Sequence, residues 1–325
     1  MAEAVSRAGD RVSGLPPLSG GSTVTVGSFD GVHLGHQAVL REIAARAGAA
    51  GRASVLVTFE PHPLEVVNPQ AAPPLLTTGP ERREMLAQTP LDYALFLRFD
   101  RQLAGYSPEE FVTRVLLDRC GTRELVIGHD HGFGRGRSGD VETLRRLGRQ
   151  HGFEVDVVGA VDFGDQHVSS SRIRRAVAGG DLVTAARMLG RPYQVSGVVG
   201  HGERRGRLLG VPTINLTGVP HQKLLPPDGV YAVRVEWRGG RAGGMMNQGP
   251  RPTVQDSRRS LEAHLFDFDG DLYGEWVRVE WVERLRDVER FASLEALQQQ
   301  LQRDRARALA VLASSGPDPS RVTHA

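Results

Sequence analysis

The segment VTVGSFDGVHLGHQAVL, residues 24–40, constrains the fold of this chain more than any other stretch. Its first valines are β-branched residues that suit a buried strand, and the glycines that follow allow the backbone to turn sharply. We expect a helix to begin near His33 or Leu34. The segment therefore predicts a strand, a glycine turn and a helix, which is the repeating unit of an α/β domain.

Two histidines stand at the start of the predicted helix. His33 and His36 are three residues apart, so on a helix they share one face at its N-terminal end. Free backbone N–H groups favour anions there, and imidazoles add donors that can follow charge on a phosphate. Gly35 lets a ligand approach the backbone closely. The alternative is that the histidines only cap or pack the helix, since HxGH alone is a weak pattern.

The full string GSFDGVHLGHQ is far more specific. It resembles the nucleotidyltransferase signature of the bacterial bifunctional riboflavin kinase and FMN adenylyltransferase family, also called FAD synthetases. The resemblance implies that His33 and His36 contact the phosphates of ATP and act in catalysis. It also implies that Gly27, Phe29 and Asp30 belong to the ATP-binding site.

The length of 325 residues suggests two domains, which we expect at 1–190 and 191–325. Lys and Arg number 40 against 38 Asp and Glu, so the excess of positive charge expected of a nucleic-acid-binding chain is missing. Cys120 is the only cysteine, which excludes an internal disulfide and favours a reducing, cytoplasmic setting. No stretch approaches the roughly 18 apolar residues of a membrane helix, so we expect neither signal peptide nor membrane anchor.

The first half alternates strand-like and helix-like segments after a lead-in of about twenty residues that we expect to be flexible. Further strands are predicted at 53–59, 93–97, 124–128 and 154–158, and helices at 81–88, 107–119 and 141–150. This alternation predicts a parallel sheet covered by helices. Ligands bind at the carboxyl ends of such strands, where the GSFDG and GHD motifs lie.

Three further clusters fall on these loops. TFEPHP, residues 58–63, reads as a rigid turn by itself, and GHDHGFGRGRSGD, residues 128–140, reads as a solvated loop. The first is very similar to the TF[DE]PHP motif of the family. The second resembles its GxNFxFG segment, which implies that Asp130 binds ATP, although His131 stands where an aromatic residue is usual.

The third cluster is VSSSRIRR, at the start of a predicted helix. Serine hydroxyls can cap the helix or bind phosphate oxygens, and an arginine offers a permanently charged fork. With the GDLVTAARMLGRPY that follows, the stretch resembles the ISSTxIR segment of the family. The resemblance implies that Ser169, Ser170, Ser171 and Arg174 grip the triphosphate.

The pattern changes near residue 191 to short alternating segments with recurring turn signals. Candidate strands are QVSGVVG, PTINL, VYAVRVEW, RAGGMMN, LEAHLF and WVRVEWV. Such strands predict an antiparallel sheet or small barrel, closed by a helix from about residue 293. The fold class is therefore a Rossmann-like, HxGH-type α/β nucleotidyltransferase domain followed by an antiparallel β-barrel riboflavin kinase domain with a C-terminal helix, as the resemblance implies.

The glycine-rich stretch GVVGHGERRGRLLGVPTINL, residues 197–216, carries the polar residues of the second half. Thr213 and Asn215 are two apart, so on an extended segment their oxygens point the same way and could hold Mg²⁺ beside a nucleotide. Without context they could equally stabilise a turn. The string resembles the GRxLGxPTANL signature of riboflavin kinases, with Ile214 where alanine is usual. Flavin or ATP contacts are implied for four residues of its glycine-rich part: Gly202, Gly206, Arg207 and Gly210.

Two further residues complete the predicted kinase site. Glu262 matches the catalytic base of the family, which takes a proton from the ribityl hydroxyl, and Asn247 is carried over as a binding residue. A glutamate on a strand is otherwise an ordinary solvent-facing residue. The resemblance thus implies two reactions: riboflavin and ATP give FMN and ADP, then FMN and ATP give FAD and diphosphate, with Mg²⁺ as cofactor.

Alternatives remain at this stage. Departures from the family pattern at 131, 214 and 248 leave open that only one activity is retained. A non-catalytic flavin- or nucleotide-binding regulator, or a nucleic-acid-binding protein, is the alternative from another class, although the near-neutral charge argues against nucleic acid. We expect small-molecule substrates as partners, with no membrane, and association into a homo-oligomer is left open.

Overall fold

The computed structural model describes residues 2–6, 11–12, 14–128, 140–159, 162–163, 166–201, 211–250 and 259–314. The chain divides into two compact units, Met1–Ser170 and Ser171–Ala325. The division expected at residue 190 stays a prediction. The two units are described separately.

A seven-stranded sheet forms the centre of the first unit. Its strands are β1 (Ala2–Ser6), β2 (Arg11–Val12), β3 (Ser22–Val26), β4 (Ala53–Glu60), β5 (Tyr93–Arg98), β6 (Thr122–Gly128) and β7 (Glu154–Val158). They lie in the order β2-β1-β5-β4-β3-β6-β7, and the five strands from β3 to β7 are parallel. The predicted parallel sheet is therefore confirmed, and a short ribbon of β8 (Asp162–Phe163) and β9 (Gln166–His167) follows it.

The expectation of a flexible lead-in was wrong for β1. This strand pairs antiparallel with β5, and Ala4 and Val5 are buried. A five-residue segment with so few large apolar side chains carries almost no periodic signal. Its place in the fold is set by backbone pairing with a strand about ninety residues later in the chain.

Helices cover both faces of this sheet. They are α1 (Leu34–Ala50), α2 (Pro63–Val67), a 3₁₀ turn (Pro69–Ala71), α3 (Gly79–Ala87), α4 (Arg101–Ala104), α5 (Pro108–Phe111) and α6 (Val141–His151). The helix predicted at 107–119 is present, but its second part, Val112–Leu117, is a π-helix. Strand residues alternate between two apolar cores: Val55 and Val57 face one, and Leu56 faces the other with Leu40 and Ile43 of α1.

The second unit is a closed antiparallel barrel. After α7 (Ser170–Ala178) and α8 (Leu182–Leu189), its strands are β10 (Gln194–Gly200), β11 (Ile214–Thr217), β12 (Gly229–Trp237), β13 (Gly240–Pro250), β14 (Arg259–Leu265) and β15 (Trp276–Arg286). They close in the order β10-β11-β14-β13-β12-β15. The barrel and the final helix, α9 (Leu294–Ser314), confirm the predicted architecture of this half.

An ion pair anchors α9 to the barrel. Arg286 on β15 donates from Nε to both carboxylate oxygens of Asp304, at 3.0 Å each, and from one terminal nitrogen at 2.8 Å. Asp304 is buried, and Gln300 donates a further hydrogen bond to it. The helix also places Ala308 in an apolar cluster with Val230 and Met245. The ion pair and the apolar contact together hold α9 on the strands of the barrel.

Candidate functional site

The turn between β3 and α1 has a conformation that few residues adopt easily. Phe29 and Val32 have positive φ angles of 48° and 39°, and Gly31 has a φ of 87°. A positive φ is rare for bulky side chains, and it persists only where surrounding contacts determine it. Phe29 and Val32 are both buried, so packing contributes to holding this turn.

His33 is the N-cap of α1, as the sequence predicted for a helix starting at His33 or Leu34. Its Nδ1 accepts a hydrogen bond from the backbone N–H of His36 at 3.2 Å. Because a backbone N–H can only donate, this contact assigns the acceptor role to Nδ1 and the proton of a neutral ring to Nε2. The two imidazoles stack with centroids 3.6 Å apart, and Phe29 lies 4.5 Å from the ring of His36.

Two glycines lie tightly against these rings. A Cβ on Gly35 would lie 3.2 Å from Cε1 and Nδ1 of His33, so a larger residue would press on the capping imidazole. A Cβ on Gly27 would lie 3.0 Å from the ring of Phe29. The glycines that the sequence read as turn formers therefore also leave room for the rings.

Asp30 has a defined structural role. Its buried carboxylate accepts hydrogen bonds from the backbone N–H of Leu76 at 2.9 Å and from the N–H and hydroxyl of Thr77 at 2.8 and 2.9 Å. The hydroxyl of Thr77 accepts in turn from the N–H of Gly31 at 3.0 Å. The carboxylate thus ties the turn to residues 76–77, and its contact with ATP stays a prediction.

A buried arginine also holds the same turn, through hydrogen bonds to backbone carbonyls. Arg82 donates to the carbonyl of Ser28 at 2.7 Å and to the carbonyl of Phe59 at 2.6 Å. Its side chain packs over the ring of Phe96, and burial lowers the pKa of the guanidinium while the carboxylate of Asp30 opposes that shift. Sequence reasoning missed Thr77 and Arg82, because the only local signal there is the capping box that starts α3.

A cavity of about 360 Å³ opens at this edge of the sheet. It is lined by Gly27, Phe29, His33, His36, Gly128, His167, Ser169 and Ser170, among others. The hydroxyl of Ser170, the last residue of the first unit, donates to the backbone carbonyl of Asp30 at 2.9 Å. The structure therefore brings together the histidines, Phe29, Gly27 and two of the predicted serines.

The other predicted residues of this half are placed differently. Ser171 and Arg174 lie in the first two turns of α7, the helix that Ser170 begins. Asp130 and His131 lie outside the described residues. Their predicted roles stay predictions.

Three polar residues form one row across the barrel. Glu262 on β14 pairs with Asn215 on β11 at one side and with Asn247 on β13 at the other. Directly paired residues of antiparallel strands project from the same face, so all three side chains share one face. Ser260 donates to the carboxylate of Glu262 at 2.7 Å. The row unites residues that lie far apart in the chain.

A second cavity, of about 380 Å³, lies in this unit. Thr213 and Ile214 line it together with four residues that sequence analysis did not single out: Phe268, Asp269, Asp271 and Tyr273. Four predicted residues of the glycine-rich stretch lie outside the described residues: Gly202, Gly206, Arg207 and Gly210.

The described ranges contain no group of three or more His, Cys, Asp or Glu side chains that could hold a metal ion. Thr213 and Asn215 offer neutral oxygens to a cation, and Asn215 is paired directly with the carboxylate-bearing Glu262. Mg²⁺ accepts such ligand sets when substrate phosphates complete its shell. The residues present thus fit a nucleotide-bound Mg²⁺.

Comparison with protein families also divides the chain into two parts. Residues 16–172 match the family described as FAD synthetase, and residues 189–312 match the family described as riboflavin kinase. Together the matches span nearly all of the chain that the structure describes. None of the helices in that part is long and apolar enough to cross a membrane.

Individual proteins show the same likeness over most of the chain. A bifunctional riboflavin kinase/FMN adenylyltransferase of Pseudomonas fluorescens is 40% identical over 93% of this chain and 96% of its own length. The protein of the same description from Escherichia coli K12 is 38% identical over 87% and 90%. A crystal structure described as a macrolide-efflux protein from Streptococcus pneumoniae superposes with a TM-score of 0.79 at 31% identity, covering 89% of this chain and 94% of that one.

Proposed function

The chain belongs to the family of bifunctional riboflavin kinase/FMN adenylyltransferases, and we propose which of its residues carry each of the two reactions. The enzyme phosphorylates riboflavin with ATP to FMN and ADP. It then joins FMN to the AMP part of a second ATP, giving FAD and diphosphate. The regulator and single-activity alternatives are not favoured, since both family matches are present in one chain.

The observation that carries the residue assignment is that each unit has its own polar cavity within its own family match. The cavity of the first unit is lined by His33, His36 and Ser170. The cavity of the second unit is lined by Thr213 and by the paired residues Ile214 and Ala263, and the neighbouring pair of Asn215 and Glu262 projects from the other face of the same two strands. Two reactions with different attacking groups are thereby supported by two separate sets of side chains.

In the first cavity, a phosphate oxygen of FMN attacks the α-phosphorus of ATP. A bond forms between that oxygen and the α-phosphorus, the bond to the β-phosphoryl oxygen breaks, and diphosphate leaves. His33 presents Nε2–H as a donor because its Nδ1 is occupied by the helix cap. That donor and the free N–H groups at the start of α1 stabilise charge on the transferring group, and His36 acts beside them.

The serines and the arginine of the VSSSRIRR stretch complete the proposed triphosphate site. Ser169 and Ser170 line the cavity, and we assign Ser171 and Arg174 to phosphate oxygens from the resemblance of this stretch to the ISSTxIR segment of the family. Gly27 and Phe29 shape the adenosine side of the turn. Asp30 supports the turn through Leu76 and Thr77, and Asp130 is retained as a proposed ATP ligand from the resemblance alone.

In the second unit, Glu262 takes the proton of the ribityl hydroxyl, whose oxygen attacks the γ-phosphorus as ADP leaves. Ser260 orients the carboxylate, and the neighbouring amides of Asn215 and Asn247 flank it in the same row. Thr213 and Asn215 would hold Mg²⁺, which neutralises charge on the nucleotide phosphates when bound. Gly202, Gly206, Arg207 and Gly210 are proposed to bind flavin or ATP on the signature alone.

The remaining assignments concern the setting of the enzyme. Small molecules are its partners, and a single buried cysteine together with ATP as substrate supports a cytoplasmic location. Neither a nucleic acid nor a membrane partner is proposed. Cell fractionation followed by product assay would contradict the location if the activity sedimented with membranes.

A pair of variants tests the division of labour on the full chain. His36→Ala should abolish FAD formation and leave FMN formation nearly intact, because the imidazole acts in one cavity only. Glu262→Gln should abolish FMN formation from riboflavin while FAD formation from supplied FMN continues. Products are separated by chromatography after incubation with riboflavin or FMN, ATP and Mg²⁺. Equal loss of both activities in either variant would contradict two separate sites.

A further inference from the structure

The nucleotide-binding turn of the first unit is held by a residue that does not line its cavity. Arg82 is 5% exposed, and it lies on α3, 54 residues after Ser28 in the chain. It donates to the carbonyl of Ser28, in the turn after β3, and to the carbonyl of Phe59, near the end of β4. One side chain thus joins the ends of two neighbouring parallel strands at the edge where the cavity opens.

The surroundings of Arg82 are suited to holding backbone carbonyls, and they are not those of an ion pair. Among the described residues no carboxylate lies within ion-pair distance of Arg82, so its charge is stabilised by backbone carbonyls, by the ring of Phe96 and by the more distant carboxylates of Asp30 and Glu60. Burial of such a charge is unfavourable, and the two short hydrogen bonds from the terminal nitrogens offset part of that cost, while Nε is buried without a hydrogen-bond partner among the described residues. A guanidinium is planar and rigid, so it fixes the relative position of the two carbonyls that it holds.

The turn needs such support because its conformation is strained. Phe29 follows Ser28 directly and has a φ of 48°, and Val32, next to the capping His33, has a φ of 39°. Thr58 also donates to the carbonyl of Ser28, at 3.2 Å, so two side chains fix the residue at which the strain begins. Beyond Phe29, the hydroxyl of Thr77 binds both the carboxylate of Asp30 and the backbone N–H of Gly31. Release of Ser28 would let the turn relax and move the histidines with it.

We propose that Arg82 is a positioning residue for adenylyl transfer, which holds the strained turn so that His33 and His36 meet the transferring phosphoryl group. The inference depends on the proposed function of that turn. Displacement of a catalytic group by about 1 Å costs on the order of 100-fold in rate, so a support of this kind acts on kcat more than on substrate affinity.

The test uses the full chain with four variants. Arg82→Met keeps the length and removes the charged fork, and Arg82→Lys keeps the charge but offers one compact donor group to two carbonyls. Arg83→Met is the matched control, since Arg83 lies next in the chain and packs on the same Phe96, but pairs with Glu60 and Glu3 and not with the turn. His36→Ala is measured in parallel.

Steady-state kinetics of FAD formation give kcat and the KM values for FMN and ATP. We expect Arg82→Met to lower kcat at least tenfold with KM values within threefold of the parent, Arg82→Lys to lower kcat by a smaller factor, and Arg83→Met to stay within twofold. FMN formation in all of them should equal the parent. The buried Cys120 reports folding of the first unit, because it reacts with a thiol reagent only when that unit opens.

The inference would be overturned if the Arg82→Met variant were folded and its kcat lay within twofold of the parent value. It would also be overturned if that variant changed only KM. If the Arg82→Met variant exposes Cys120, its kinetics are not used and the Arg82→Lys variant provides the test. A kcat equal to that of the parent in Arg82→Lys would then overturn the inference. Full FAD formation by His36→Ala would instead remove the proposed function of the turn. Loss in His36→Ala with none in Arg82→Met removes only the role of Arg82.

Discussion

The imidazole of His33 caps the helix that carries His36, with Nδ1 accepting the backbone N–H of His36 at 3.2 Å and the two rings stacked 3.6 Å apart. The cap fixes which nitrogen of His33 holds the proton, and the stack fixes the orientation of His36. One local contact therefore sets the chemistry of both histidines, and substitutions that disturb it should affect one reaction of the enzyme and spare the other.

Gly35→Ala tests this contact directly. The new Cβ would lie 3.2 Å from Nδ1 of His33 and would push the ring away from the helix end. We expect kcat for FAD formation to fall about tenfold, because small displacements of a catalytic group are expensive, and FMN formation to be unchanged. Steady-state assays of both reactions measure the effect.

Gly48→Ala is the control on the same helix. A Cβ there meets nothing within 4 Å, so alanine should be neutral for both reactions and stabilise the helix by about 0.5–1 kcal/mol. Comparable loss of FAD formation in the two variants would show that the effect comes from the helix and not from the cap.

Asp30→Asn separates a supporting role from direct ATP binding. The amide offers one acceptor oxygen where the carboxylate accepts from three donors of Leu76 and Thr77, and its NH₂ group faces backbone N–H. The expected result is a loss of about 1–3 kcal/mol in the free energy of unfolding of the first unit, measured by urea titration. Unchanged stability with a raised KM for ATP would instead identify Asp30 as a nucleotide ligand.

Asn215→Ala tests the proposed magnesium site. Loss of the amide oxygen should raise the Mg²⁺ concentration needed for half-maximal FMN formation on the order of tenfold, whereas the Mg²⁺ dependence of FAD formation stays at the parent value. Thr217→Val on the same strand is the control, since its hydroxyl donates to the carbonyl of Val198. An unaltered Mg²⁺ requirement in Asn215→Ala would remove this residue from the site.

Asp304→Ala tests the anchor of α9. The change leaves the guanidinium of Arg286 without its buried carboxylate, and breaking such a pair destabilises a protein by about 3 kcal/mol or more. Asp267→Asn is the exposed comparison, because its pair with Arg305 spans 3.5 Å at the surface and should contribute less than about 1 kcal/mol. Chemical denaturation of the second unit gives both values, and equal losses would contradict a buried anchor.

The thiol of Cys120 should be unreactive in the folded protein. Burial raises its pKa to about 12, above the ordinary value of 9.0, so the thiol stays protonated at pH 7 to 9 and the reactive thiolate is scarce. A disulfide reagent added at pH 8 should therefore label the chain only after urea unfolds the first unit. Fast labelling without urea, or labelling that rises with pH as for a free thiol, would contradict the burial.

Much of the architecture could be predicted from local patterns. Alternation of strand-like and helix-like segments predicted the parallel sheet, and the turn-rich alternating half predicted the barrel. The spacing of His33 and His36 predicted that both stand at a helix start, because that relationship depends on three residues of backbone. Strand β1 was missed, since its only strong signal is its pairing with β5.

The sequence by itself determined most of the succession of elements after β1, the histidines at a helix start and the family, because each of these depends on residues that are close together in the chain. Tertiary structure alone decided that Arg82 meets Ser28, that Asp30 serves Thr77, and that Asn215, Glu262 and Asn247 form one row. These contacts join residues tens of positions apart. Strand order and register determine which residues meet, and neither can be read from one segment of the sequence alone.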